Sequence, residues 1–472
     1  MTESWDAVVV GSGPNGLAAA ITLAQAGRSV LVLEAADEIG GGLRSDLLSG
    51  GLVRDRCAAV MPFAVGSPFL STLDLAGHGL EWAHPEVQYT QPLDGGRAGA
   101  ALRDLDETAD LLGRDAKTYR RLVQHLLENW ADLTKATQGP LATLPRHPIL
   151  LARYGIPGLR SSDSLAGRFV TDEGKSMIAG CAAHSVLPLD APLTAAVAAM
   201  FAASAHAVGW PVVVGGSSGL AVALASVLRS LGGEIRTGHM VRSLDELPDH
   251  RAVLFDIDPA QVEAICGDAL PHRYRRRLNR YKFGPGVFKL DHVLDGPVPW
   301  ADSFSARSGT VHVGGTFDES AAAEAEVAAG GHPERPFVLV AQQDVADPSR
   351  VVGGKHTLWS YTHVPSGSTR DCTDAIERQI ERYAPGFRDR IVERHTTTSV
   401  ALQEYNPAYV GGDITGGSLG HRQLFVRPRL FRPYQTPNDR VFLCGASTPP
   451  GGGVHGMAGY HGAKAALGST LR

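Results

Sequence analysis

The sharpest hydropathy pattern lies in residues 6–34. Ala7-Val8-Val9-Val10 is an unbroken apolar run of strand length, which predicts a strand buried on both faces of a parallel sheet. Gly11-Ser12-Gly13-Pro14-Asn15-Gly16 then reads as a tight turn, Leu17 to Ala26 as a small, apolar helix ended by Gly27, and Ser29-Val30-Leu31-Val32-Leu33 as a second strand closed by Glu34. Strand, helix and strand in so short a span make a βαβ unit. Helical spacing takes over further along. Leu111, Leu112, Tyr119, Leu122, Val123, Leu126, Leu127 and Trp130 predict a helix over 108–135, and an Ala/Met/Phe pattern predicts another over 190–207. Proline and arginine punctuation between them, over 140–161, marks a connector.

Beyond Gly215, Gly216 and Gly219 the pattern predicts a helix from Leu220 to Leu231. Short strands follow at Glu234-Ile235-Arg236, Met240-Val241 and Ala252 to Ile257, the last ending among Asp256 and Asp258. Residues 286–345 alternate apolar and polar positions at Val287–Leu290, Val311–Val313 and Phe337–Val340, joined later by Thr357–Tyr361. That alternation predicts an antiparallel sheet forming the floor of a second domain. A helix is expected over 373–384. Near the C-terminus, a strand from Arg440 to Ala446 and a glycine-rich approach at 451–453 lead into a helix from Ala458 to Leu467.

The first turn has a chemical reading. Gly11 permits the bend, Gly13 leaves room for a pyrophosphate against the backbone, and Gly16 lets the helix pack closely on the sheet, while the helix amides face the phosphates. Pro14 and Asn15 complete that turn. Glu34, ending the second strand, is placed to accept hydrogen bonds from an adenosine ribose, and its charge argues against a 2′-phosphate there. The run Ile39-Gly40-Gly41-Gly42-Leu43-Arg44 suits an extended chain lying along a long dinucleotide, with Arg44 reaching its pyrophosphate or its ring side. Backbone at Met240 or Val241 is placed for an adenine edge. The C-terminal glycine turn aims backbone amides at a polarised ring oxygen.

Composition removes several classes of function. With 472 residues, 44 Lys+Arg against 49 Asp+Glu and a formal charge of −5, the chain is no bulk-charge nucleic-acid binder, and 43% hydrophobic content excludes a disordered chain. The run His272-Arg273-Tyr274-Arg275-Arg276-Arg277 with Arg280 and Lys282 reads as a solvated face or the border of a lipid-facing entrance. Cys57, Cys181, Cys266, Cys372 and Cys444 are widely spaced and expected to be reduced thiols. No HExxH or His/Cys/Asp cluster points to a metal. No basic leader precedes the first strand, and the alanine-rich stretches at 195–208 and 219–231 are too short or interrupted to span a bilayer. The expected location is the cytoplasm, with room for peripheral membrane contact.

Taken together, VVVGSGPNGLAAAITLAQAGRSVLVLE, the following GGGLR and the C-terminal RVFLCGASTPPGGGVHGMAGYHGAKAA resemble the phytoene desaturase-like flavoproteins, within the wider group of amine oxidases and carotenoid desaturases. The resemblance implies an α/β fold: a Rossmann-type FAD-binding domain assembled from discontinuous segments, with a mixed or antiparallel-sheet plus helical substrate domain. The corresponding division is 1–75, 210–285 and 436–472 for FAD, 76–209 for a helical substrate-side segment, and 286–435 for the substrate sheet. It also implies non-covalent FAD held by Gly11, Gly13, Gly16, Glu34, Gly41, Gly42, Arg44, Val241, Gly445, Gly453, Val454 and His455. Two positions depart from the family pattern: Pro449-Pro450 stands where relatives carry His-Pro, and Ala446 where many carry an acidic residue.

The activity so implied is an FAD-dependent oxidoreductase that removes hydride equivalents from an apolar or conjugated organic substrate, with desaturation included. A flavin-dependent amine oxidase, a redox-neutral isomerase and a non-catalytic flavin-binding scaffold are the alternatives, and oxygen, a quinone or NAD(P) is the electron acceptor. His455 is expected to hydrogen-bond the flavin or to shuttle a proton. Tyr405 and Asn406, in a polar loop before Gly411-Gly412-Asp413, are expected to touch substrate, whereas His312 and His363 read as satisfied sheet histidines.

Overall fold

Two sheets organise the computed structural model, which describes residues 4–140 and 154–472. The first has five strands in the order Val441–Leu443, Asp249–Phe255, Ser4–Val10, Val30–Leu33 and Glu234–Arg236, and each pairs its neighbour in parallel. Ala7, Val8 and Val9 are wholly buried, as a strand covered on both faces requires. The C-terminal strand pairs with Asp249–Phe255, which itself pairs with the first strand. One nucleotide-type sheet is thus assembled from the two ends and the middle of the chain.

Helix Pro14–Gln25 covers one face of this sheet and packs on Ser218–Ser230 and on the last helix, Met457–Leu467. Leu17, Ile21, Leu23, Leu220, Leu224 and Ala463 sit together in that core. Full burial of a leucine- or isoleucine-sized side chain contributes about 1.5–3 kcal/mol. The helices approach backbone to backbone at Gly459, where a Cβ would stand 1.8 Å from the Asn15 carbonyl oxygen.

The second sheet has seven strands, ordered Ile391–Thr397, Gly286–Leu294, His356–Val364, Val338–Ala341, Thr310–Val313, Val87–Leu93 and Arg97–Leu102. All neighbours are antiparallel except Thr310–Val313 beside Val87–Leu93, so the sheet is mixed. The last two strands come from the stretch read as helical. All seven residues of Val87–Leu93 are buried, which erases the alternation that identifies a half-exposed strand. Helices Asp172–Ala183 and Thr194–Ala207 lie together beside this edge.

The helix expected over 108–135 is instead divided into Leu105–Leu111, Ala116–Glu128 and Trp130–Thr137. Gly113 turns through φ +51° at the first break. Beside it the buried Asp115 carboxylate accepts hydrogen bonds from the Val170 and Thr171 amides, a tertiary demand that periodicity does not record. Met240-Val241 lies outside any strand. Of the connector read over 140–161, residues 141–153 lie outside the described residues. No helix among the described residues is long and apolar enough to cross a membrane.

Candidate active site

The parallel strands end on one side of their sheet, at Gly11, Glu34, Asp256 and Cys444, and the first three of these residues border a cavity of about 950 Å³. Crevices at the carboxyl ends of parallel strands are the usual ligand sites of such sheets. This one lies at the upper end of ligand cavities, about 300–1,000 Å³.

Its floor is the turn from Gly11 to Gly16. Gly11 adopts φ +102°, and a Cβ on Gly16 would stand 2.1 Å from the Gly11 carbonyl oxygen, so helix and strand meet there only through glycine. Gly13 caps the following helix without a side chain, and Pro14, Asn15 and Gly13 line the cavity. The Asn15 Oδ1 atom is buried with no partner. Glu34 stands beside the turn: one carboxylate oxygen accepts from the Ser12 amide (2.9 Å) and hydroxyl (2.6 Å), the other from the Ala36 amide (3.0 Å) and Arg44 (3.0 Å). Arg44 also donates to the Glu38 carbonyl, so its guanidinium is anchored to the groups around Glu34 while lining the cavity.

The glycine run lies across this floor. The Gly40 amide donates to the Ser12 carbonyl, Gly41 and Gly42 line the cavity, and the Tyr405 hydroxyl donates to the Gly41 carbonyl at 2.5 Å. The guanidinium carbons of Arg44 and Arg56 lie 5.5 and 4.9 Å from the Tyr405 ring centroid. Burial raises the Tyr405 phenol well above its ordinary value, so it stays a donor. Its hydroxyl therefore holds the glycine run, although the ring borders the cavity; Asn406 lines the cavity beside it. On the other flank, the His239 amide donates to the Glu34 carbonyl and places Met240 and Val241 on the wall.

From the C-terminal segment, Gly453, Val454 and His455 line the cavity, whereas Gly445 lies behind it, against Asp256 and Ile257. His455 is held at its backbone carbonyl and at one ring nitrogen. Its carbonyl accepts from Ser67, its Nδ1 accepts from the Met457 amide at 3.0 Å, and its Nε2 has no partner. Burial pushes this imidazole down to about 4. The ring is neutral at physiological pH, with the proton on Nε2.

The opposite wall comes from the seven-stranded sheet and the helical layer. Leu339, Trp359 and Tyr361 project from strands, and Met200, Phe201 and His184 from helices or their ends. His184 stacks on Phe201, with centroids 4.0 Å apart and planes 14° apart, and its Nε2 lies 3.1 Å from His312 Nε2. Burial lowers both rings, His312 to about 3, so this wall carries no imidazolium at neutral pH. His363 pairs with Glu324 inside the sheet, as expected of a satisfied sheet histidine. No group of three or more His, Cys, Asp or Glu among the described residues is arranged to hold a metal ion.

Two features had not been singled out, one bordering the cavity and one outside its lining. Asp256 accepts the Gly16 amide at 2.7 Å and borders the cavity under the glycine turn. The signal was present, a carboxylate ending a buried apolar strand. The second is the wholly buried pair Arg350–Asp55 (2.8 Å), in which Asp55 also takes the Ser217 amide and Ser45 hydroxyl, and Arg350 reaches the Val213 carbonyl. It pins the 215–219 glycine loop to the rest of the molecule.

Residues 15–265 match the family described as flavin containing amine oxidoreductase. An uncharacterized protein of Mycobacterium tuberculosis is 27% identical over 98% of this chain and 97% of its own length. Phytoene dehydrogenase of Streptomyces griseus is 27% identical over 95% and 92%. Among solved structures, an oxidoreductase from Methanosarcina mazei superposes with a TM-score of 0.66 at 18% identity, covering 98% of this chain and 100% of the other. Putrescine oxidase bound to putrescine gives 0.62 at 19%, covering both chains fully. At that identity the likeness is one of fold. The side-chain-free turn at Gly13 and the cavity-lining Asn15 and His455, whose Oδ1 and Nε2 are buried without partners, suit a long dinucleotide with a polar ring.

Proposed function

We propose, for a chain that belongs to the flavin containing amine oxidoreductase family and is an FAD-dependent oxidoreductase, that the substrate is an apolar, conjugated organic molecule which loses a hydride equivalent, as in desaturation. The observation that carries this reading is how charge is distributed around the cavity. Glu34, Arg44, Asp256 and Asp258 belong to the nucleotide-type sheet and its adjoining loops and Glu404 is an exposed residue of helix Ser399–Tyr405, whereas the wall carrying Leu339, Trp359, Tyr361, Met200 and Phe201 is aromatic and aliphatic, with its histidines neutral. An apolar wall accepts a hydrocarbon without desolvating a charge.

Bound FAD supplies the hydride acceptor. The chain's own residues hold and orient it. The Gly11–Gly16 turn receives the diphosphate, Glu34 the ribose hydroxyls, the backbone at Val241 the adenine, and Gly41, Gly42 and the Gly453–His455 turn the ring. His455 Nε2–H serves as a fixed donor there, because its Nδ1 is committed to the Met457 amide. Trp359, Tyr361 and Phe201 orient the substrate and exclude water.

The rim supports delivery from a lipid surface. Phe425 lines the cavity and is 39% exposed, Phe431 is 69% exposed, and Val426 shares a neighbouring depression with Arg273, Arg276, Arg277 and Arg280. The same aromatic walls favour a second reading, capture of a protonated amine through cation–π contacts. Anaerobic mixing of the FAD-loaded protein with substrate separates the two. Bleaching of the flavin absorbance by a polyene carried in anionic vesicles, but not by primary amines, is expected; bleaching by amines alone would overturn the apolar reading.

His455→Ala is expected to retain FAD but shift the flavin absorption bands and slow reduction roughly tenfold, the loss of about one hydrogen bond. With the wild-type ring neutral down to about pH 4, no limb of the rate–pH profile near the ordinary histidine range comes from His455. A limb between pH 6 and 7 that disappears in His455→Ala would refute that assignment.

A further inference from the structure

We propose that Asp256 is a cofactor-binding residue that works as a neutral acid, presenting a hydrogen-bond donor rather than a charge to the FAD diphosphate. Its carboxyl group sits inside a cradle of glycines. A Cβ on Gly13 would stand 2.7 Å from Asp256 Oδ2, one on Gly16 3.0 Å from the same atom, and one on Gly445 3.1 Å from Oδ1. The two fingerprint glycines and the C-terminal glycine therefore leave space for this carboxyl group. Oδ2 accepts the Gly16 amide, an orphan donor in the first turn of helix Pro14–Gln25 that Gly13 has no side chain to satisfy. Asp256 lines the cavity where the turn receives the diphosphate.

The surroundings oppose ionisation. Asp256 faces Glu34, which ends the strand two places along the sheet, and the Cys444 thiol at the end of its neighbouring strand, itself kept neutral by burial. Asp258, two residues on, is another acid, and it is turned to the Ala260 and Gln261 amides at the head of its own helix. Arg44, the cation on this wall, pairs with Glu34. Burial pushes the Asp256 carboxyl up to about 8, against the Gly16 amide and with the Glu34 charge adding to the effect. A second anion beside a diphosphate repels it, whereas a carboxylic acid donates its proton to a phosphate oxygen and still accepts from Gly16.

The sign follows. The acid is protonated at neutral pH, and FAD, by preferring that form, binds more weakly as pH rises through about 8. Titration of the apoprotein with FAD, followed by quenching of flavin fluorescence, tests this between pH 6.5 and 9.5. The wild-type affinity is expected to be constant below pH 7.5 and at least tenfold lower at pH 9.5. Asp256→Asn keeps both the acceptor for Gly16 and a permanent donor, and its affinity is expected to stay within twofold across the range. A flat wild-type profile, or the same decline in Asp256→Asn, would overturn the proposal while leaving the FAD site standing. Absence of FAD binding at every pH would overturn both.

Discussion

Gly13→Val is expected to fold normally and to lose FAD, with affinity reduced at least 100-fold, about 2.7 kcal/mol. The two effects separate because of the backbone at this position. Gly13 has φ −63° and ψ 173°, an extended conformation open to any residue, so the substitution introduces no dihedral strain. What it introduces is volume. The new Cβ lies 2.7 Å from Asp256 Oδ2, and its branches fill the cavity floor that a diphosphate must touch through backbone alone. Purification, a circular dichroism spectrum and release of cofactor on denaturation check both halves. A folded variant that carries FAD at wild-type occupancy would remove Gly13 from the diphosphate site.

The second large effect is on stability. Arg350→Met should destabilise the protein by about 3–5 kcal/mol, because it leaves the Asp55 carboxylate buried without its cation. Both side chains are wholly inaccessible. The Ser217 amide and Ser45 hydroxyl still donate to Asp55, so the network is weakened rather than abolished. Arg120→Met is the control. Arg120 pairs with Asp106 and Asp110 on the surface, and no measurable change in thermal unfolding is expected from it. Equal melting of Arg350→Met and wild type would show that the buried pair does not hold the glycine loop in place.

Particular residues show why some of this was legible before the fold and some was not. The strand, glycine turn and helix of the first unit are neighbours in sequence, and their pattern predicted the observed elements to within a few residues. The helix begins at Pro14, three residues before the predicted start, because Pro at the first helical position has no N–H to lose. Glu34 was identified as the acid of this unit from its position closing the second strand. The strands Val87–Leu93 and Arg97–Leu102 were not foreseen, since one is buried along its whole length and both join a sheet whose other members begin only at Gly286.

The same division holds within the site. Tyr405 was identified as a site residue from its loop, yet the destination of its hydroxyl, a carbonyl 364 positions earlier, is a property of the assembled molecule. The Gly16–Asp256 bond spans 240 positions. By itself the sequence determined the strand, the glycine bend and the helix start of the first unit, because short-range sterics and hydropathy govern those elements. That both ends of the chain build one sheet was implied by the family resemblance and is seen in the pairing of Val441–Leu443 with Asp249–Phe255. Only the tertiary structure decided which carboxylate lies under that turn, which imidazole nitrogen is left free and how apolar the facing wall is. Those features depend on burial and on partners that long-range packing brings together.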